Sequence, residues 1–193
     1  MIAFVQGEFS AKTPSQVIVN VNGIGYEVQI SLNTYAEIAE KEHGKLLTYL
    51  HITENGQTLY GFANTIEKEM FLNLISVSGV GASTARMMLS GMKPDEISKA
   101  IVQNDANQLS TVKGIGKKTA ERLIVELKDK FAKQDITASF TKGSENRIEL
   151  DAITALVGLG INRTAAENVI KKVLLSNPDL TLETIIKQAL KNL

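Results

Sequence analysis

Short runs rich in β-branched and aromatic residues fill the first 62 positions of the chain. Val17-Ile18-Val19-Asn20-Val21 and Tyr26-Glu27-Val28-Gln29-Ile30 flank Asn22-Gly23-Ile24-Gly25, the pattern of two strands joined by a glycine-rich hairpin turn. Ile2–Ser10, Lys45–Ile52 and Thr58–Phe62 read as further strands, and Thr34–Lys41 as a short helical piece. Five short strands in about sixty residues predict a small barrel of the OB type, with a sandwich fragment as the alternative. Thr53-Glu54-Asn55-Gly56-Gln57 is a polar loop before the last strand. From Asn64 the period becomes helical. Asn64 and Glu67 form an N-terminal capping pair, and Met70, Phe71, Leu74 and Ile75 make one apolar stripe that belongs to a core. The pattern predicts a first helix carrying this stripe, a glycine turn, a second helix to about Met92, one over Asp95–Gln103 opened by Pro94, a segment Asp105–Ser110 leading into a second glycine turn, and a helix to about Phe131. Residues 133–146 lose the periodicity and read as a flexible linker. Arg147–Val157, Arg163–Leu175 and Leu182–Asn192 then predict three short helices with a small core of their own. The organisation expected is α+β: a barrel over 1–62, a helical domain over 63–132, a linker over 133–146 and a three-helix module over 147–193.

Two stretches of the helical domain repeat at an offset of 35 residues. Leu74 aligns with Leu109, Val77 with Val112, Gly79 and Gly81 with Gly114 and Gly116, and Thr84-Ala85 with Thr119-Ala120. A fixed period with matched glycines marks a duplicated supersecondary unit. The glycines permit a sharp turn between two helices, with Val80 or Ile115 pointing inward to pin it. Such a hairpin leaves backbone N–H groups exposed at the start of its second helix, where the helix dipole favours an anion. In the second copy Lys117 and Lys118 fall in that first turn, and Arg122 lies one turn on. Cations oppose the dipole there, so they point to an incoming anion, and a nucleic-acid phosphate fits best. This is the pattern of the helix-hairpin-helix motif, which grips duplex DNA by its backbone. Tight turns in a plain helical bundle are the structural alternative.

Charge sharpens this picture. The net charge is zero, but residues 1–62 carry three Lys/Arg against six Asp/Glu, while residues 63–132 carry ten against eight. The positive excess thus coincides with the paired hairpins. There is no cysteine, hence no disulfide, thiolate metal site or cysteine nucleophile, and His43 and His51 stand apart as poor candidates for ligands. No apolar run approaches a membrane span and the first residues read as a strand, so a soluble, cytoplasmic protein without signal peptide, metal or cofactor is expected.

The order of these elements is similar to that of the RuvA family, the Holliday-junction-binding subunit of the bacterial branch-migration machine. The resemblance spans nearly the whole chain. It is most specific at Asn22-Gly23-Ile24-Gly25-Tyr26-Glu27-Val28, at Leu59-Tyr60-Gly61-Phe62, and at Val112-Lys113-Gly114-Ile115-Gly116-Lys117-Lys118-Thr119-Ala120-Glu121-Arg122-Leu123-Ile124. It implies a tetramer of fourfold symmetry holding a four-way junction open on a flat face, with one or two tetramers on the junction. DNA contacts would come from Gly79, Gly81, Ser83, Gly114, Gly116, Lys117, Lys118 and Arg122. An acidic pin would project from the loop before the last barrel strand. There Glu54 matches one pin carboxylate, and Asn55 stands where the second acid is expected. Ser83 replaces a lysine common in the family and Ala82 a proline, so the second hairpin is expected to carry more of the electrostatic binding. The last module resembles the family's ubiquitin-associated-like third domain, which implies docking of a hexameric RuvB-type ATPase through residues 147–193. A RuvC-type junction resolvase is the other implied partner.

The chain itself is expected to be non-catalytic. Gly114-Ile115-Gly116-Lys117-Lys118-Thr119 lacks the spacing of a phosphate-binding loop, so ATP hydrolysis belongs to a partner. The carboxylates show no clustering that suggests a metal nuclease. Three alternatives remain at this level. One is a hairpin-bearing repair lyase or nuclease using Lys117 or Lys118 as nucleophile. The others are a generic duplex binder and a protein scaffold without DNA.

Overall fold

The computed structural model describes the chain except for residues 55, 141–143, 178–179 and 193, with backbone only over 132–140 and 144–147. The chain divides into two compact units, Met1–Ala132 and Lys133–Leu193.

The first unit begins with β1 (Phe4–Thr13), β2 (Gln16–Val21) and β3 (Ile24–Ile30), continues through α1 (Leu32–Ile38), and ends its sheet with β4 (His43–Thr53) and β5 (Gly56–Phe62). The strands close into a barrel in the order β1-β2-β3-β5-β4, which removes the sandwich alternative. Closure depends on a parallel pairing of β3 with β5, Val28 opposite Leu59 and Ile30 opposite Gly61. It also needs the antiparallel pairing of β1 with β4, Phe4 opposite Leu47. The alternation of side chains sends Val5, Phe9, Val17, Val19, Val28, Ile30, Leu46 and Leu59 into the barrel, where Ile38 of α1 joins them. β4 and β5 pair as far as Thr53 opposite Gly56. The polar loop expected over 53–57 is therefore shorter, with only residues 54 and 55 between the strands.

Four helices and the greater part of a fifth complete this unit: α2 (Thr65–Ile75), α3 (Ala82–Gly91), α4 (Pro94–Val102), α5 (Ala106–Ser110) and, as far as Ala132, α6 (Lys117–Phe140). Phe71, Leu74, Val77, Met88, Leu89, Ile97, Ile101, Leu109, Leu123 and Leu127 form their core, which also takes in Tyr60 and Phe62 of β5. The Phe71 ring lies 4.9 Å from Phe62 and 5.2 Å from Tyr60, centroid to centroid. The segments 1–62 and 63–132 thus share a core across their junction.

The capping pair at Asn64 is realised in half. Asn64 Oδ1 accepts from the Glu67 amide at 2.9 Å, but the Glu67 carboxylate does not return to Asn64. It accepts instead from the Ser31 hydroxyl and, at 2.5 Å, from Thr34 Oγ1. Thr34 Oγ1 in turn accepts from the Ala63 amide at 3.1 Å. Glu67 is buried, and burial raises its pKa, opposed by these hydroxyl donors. One carboxyl thereby ties the start of α1 to the joint between β5 and α2.

The two helix bounds expected on either side of residues 133–146 need correcting. α6 does not stop near Phe131 but continues to Phe140, and α7 (Ser144–Gly158) begins before Arg147. Within the expected linker, residues 133–140 and 144–146 have helical backbone. The physical reason lies in composition: 132–140 contains no glycine or proline to end the helix, and the first such residue is Gly143. Residues 141–143 lie outside the described residues.

In the second unit α7 is followed by α8 (Arg163–Ser176) and α9 (Leu182–Lys191). Ala152, Leu156, Ala166, Ile170, Val173, Ile185 and Ala189 make its separate core. α7 closes at Gly160, whose φ is +90° and which lets the Ile161 amide reach back to the Leu156 carbonyl at 3.1 Å. Asn162 Oδ1 then accepts from the Thr164 amide at 2.9 Å to start α8.

Candidate nucleic-acid interface

The 35-residue repeat of the sequence reappears as a repeat of hydrogen bonds. After α2, the Val77 amide bonds to the Leu74 carbonyl (3.2 Å) and the Val80 amide to the Val77 carbonyl (3.1 Å). After α5, Val112 bonds to Leu109 (3.4 Å) and Ile115 to Val112 (3.0 Å) in the same way. Gly79 and Gly114 both sit in the left-handed region, at φ +92° and +95°, which allows each chain to reverse. Val80 and Ile115 are buried, pinning the two turns as expected. Ala85 then bonds to the Gly81 carbonyl and Ala120 to the Gly116 carbonyl, at 2.9 and 3.0 Å, opening α3 and α6.

The residues that precede these helices are glycines, and Gly81 supplies no side-chain cap to α3. The leading amides of both helices are therefore available to an acceptor from outside. Gly79, Gly81, Ser83, Gly114, Gly116, Lys117 and Lys118 are all exposed. The two turns also meet. A Cβ built on Gly114 would stand 3.4 Å from Met87 Cε and 3.9 Å from Thr84 Cγ2, both on α3. The second turn therefore rests on α3, the second helix of the first hairpin.

Arg122 is exposed, but its Nε donates to Glu126 Oε1 at 2.7 Å, one turn along α6. It differs in this from Lys117 and Lys118, which form no ion pair among the described residues. Exposed pairs of this kind are weak, about 0.5 kcal/mol, so Arg122 can exchange Glu126 for a stronger anion at small cost. Lys113, in the same stretch but not among the expected contacts, is exposed as well. Arg86 of α3 has a different task. Its Nη1 donates to the Ser15 carbonyl at 2.9 Å and to Gln29 Oε1 at 2.8 Å, fixing the first hairpin against the barrel. Asn33 adds bonds from its amide to the Leu89 and Met92 carbonyls, at 2.6 and 3.0 Å.

Glu54 is exposed at the tip of the β4–β5 hairpin, beside Ile52, which is 64% exposed. The neighbouring Asn55, expected to replace a second acid, lies outside the described residues. Among the described residues there is no cluster of three or more side chains able to hold a metal, and no helix is long and apolar enough to cross a membrane.

Three family models match successive parts of the chain: the RuvA N terminal domain over residues 1–61, the SAM-like helix-hairpin-helix tandem over 71–129, and the RuvA C-terminal domain over 150–193. A protein of Cytophaga hutchinsonii called Holliday junction branch migration complex subunit RuvA is 45% identical, covering 99% of both chains. The chain belongs to the RuvA family. Relatives of the same name from Flavobacterium psychrophilum and Geobacter sulfurreducens are 46% and 42% identical, covering at least 98% of each chain. The RuvA N-terminal match corresponds to the closed barrel, and the tandem match encloses both turns described above.

Proposed function

We propose that this chain binds four-way DNA junctions through their phosphate backbones and serves as the non-catalytic DNA-holding subunit of a branch-migration complex. The observation that carries the reading is the pair of matched turns, each opening a helix whose leading amides no side chain caps. Its relatives are named as subunits of a Holliday junction branch migration complex. Contacts through amides carry no base information, which suits a protein that must hold DNA while its sequence changes beneath it.

In this reading Gly79, Gly81, Ser83, Gly114, Gly116, Lys117 and Lys118 hold phosphates, and Arg122 joins them by leaving Glu126. Four copies of the chain around the crossover, in one or two layers, bring eight hairpins to four arms. Glu54 lies at the centre, where one carboxylate repels phosphates less than two would, and the hairpin tip acts chiefly as a wedge. Residues 147–193 dock a RuvB-type hexameric ATPase, which supplies the energy of migration in the cytoplasm, and a RuvC-type resolvase acts on the held junction. The lyase alternative is disfavoured because a lysine nucleophile needs desolvation or crowding, whereas Lys117 and Lys118 are solvent-exposed.

The test is strand exchange on a synthetic four-way junction with the ATPase of the same organism. The full chain should stimulate it. A chain ending at residue 146 should still bind the junction and give no stimulation. Loss of junction binding by the shortened chain would overturn the division of labour.

A further inference from the structure

The offset of 35 residues compares the two hairpins position by position on their exposed surface. Ser78 corresponds to Lys113, Ala82 to Lys117 and Ser83 to Lys118. Ala82 is buried; the other five are exposed. At all three positions the first hairpin has a small neutral residue and the second has a lysine. The backbones around them are alike, with the same hydrogen bonds and φ within a few degrees.

Residue 113 stands at a fixed place in this turn. Its neighbour Val112 is anchored by the bond to Leu109, and Ile115 is anchored by the bond to Val112 and buried. Lys113 lies between these anchors and immediately before the left-handed Gly114, exposed to solvent. It forms no ion pair among the described residues. No hydrogen bond or ion pair among the described residues uses its charge. It stands four residues before Lys117, in the turn that leads into the helix opened by Lys117 and Lys118.

We infer that Lys113 is a third phosphate-binding cation of the second hairpin, so that the two hairpins are electrostatically unequal halves of one interface. The inference rests on the junction-binding reading. The second hairpin is a three-lysine anchor. The first holds DNA by amides and the Ser83 hydroxyl, with no counterion-releasing side chain at these positions. Because each ionic contact releases condensed counterions, the salt dependence of binding should reside almost entirely in the second hairpin.

The experiment is a salt series of full-chain binding to a synthetic four-way junction, comparing the wild type with Lys113→Ser, Ser78→Lys and Lys99→Ser. Lys99 is an exposed partner of Asp95 on α4, outside the two hairpin turns, so its variant makes the same change in net charge without touching either turn. Lys113→Ser should flatten the slope of log K against log salt by about 0.9 for each copy whose contact is lost. Ser78→Lys should steepen the slope by a similar amount, while Lys99→Ser leaves it unchanged. If Lys113→Ser matches Lys99→Ser while the wild type binds steeply, the assignment is wrong and the junction-binding reading stands. If the wild type shows no salt-dependent binding, both fall together.

Discussion

Arg86 and Gln29 are joined by a 2.8 Å hydrogen bond from guanidinium Nη1 to amide Oε1, across the seam between the first hairpin and the barrel. The same nitrogen holds the Ser15 carbonyl at 2.9 Å, so one side chain of α3 clasps the β1–β2 turn and β3 together. The orientation of α3 is thus tied to the barrel. Arg86→Ala should lower the stability of the first unit by about 1–2 kcal/mol, the range for a partly exposed pair of bonds to a charged donor. Denaturant unfolding of the full chain checks this, and an unchanged midpoint would mean that the bonds contribute nothing net.

The two kinds of hairpin glycine should separate strain from contact. Gly79 and Gly114 have φ near +90°, so Gly79→Ala and Gly114→Ala should each cost about 1–2 kcal/mol of stability. Gly81 has an extended backbone, and neither Gly81 nor Gly116 has any atom within 4 Å of a built Cβ. Gly81→Ala and Gly116→Ala should therefore fold normally, yet weaken junction binding by placing a methyl group where a phosphate approaches. Thermal unfolding read beside gel-shift affinity distinguishes the cases. Full affinity in the Gly81 and Gly116 variants would remove those amides from the interface.

Lysines at the start of α6 oppose its dipole, each by about 0.3–1 kcal/mol. Lys117→Ala with Lys118→Ala should thus leave stability equal or slightly higher while weakening junction binding and flattening its salt dependence. Ser83→Ala should lose less binding and keep the slope. Equal losses from both would contradict the ranking of the hairpins.

Glu67 gives a pH dependence whose sign follows from its burial. Its folded-state pKa is raised, with desolvation outweighing the donors Ser31 and Thr34. The folded state then holds the proton more tightly than the unfolded chain. The associated stability is fully present below the ordinary carboxylate pKa and is lost as pH rises through the folded value. Glu67→Gln lacks this slope, so wild-type stability relative to the variant should decline between about pH 4 and pH 8. Unfolding free energies at both ends measure it. A relative stability that rises with pH would show the two hydroxyl donors to favour the carboxylate over its protonated form.

The parts of the fold visible in the sequence are those set by local rules. The paired turns were legible because left-handed glycines, buried Val80 or Ile115 and helix-start signals recur at one spacing, and the hydrogen bonds recur with them. The strands were legible from alternation, though β1 and β4 run further than their apolar runs because barrel pairing extends to polar ends such as Thr13 and Thr53. What the sequence did not disclose depends on distant partners. Glu67 meets Ser31 and Thr34, more than thirty residues away, instead of completing its local cap. Arg122 is the exception, because its partner Glu126 lies one turn away at the i,i+4 spacing of a helical ion pair. The role of Arg86 needs the barrel and hairpin packed together before Ser15 and Gln29 come within reach.

The central claim is that this chain recognises the four-way junction through backbone contacts, and the most direct measurement compares the junction with linear duplex of equal length in one salt series. The account predicts a strong preference for the junction together with a steep salt slope. Equal affinity for the two DNAs would reduce the chain to a duplex binder, and no binding at low salt would contradict the claim outright.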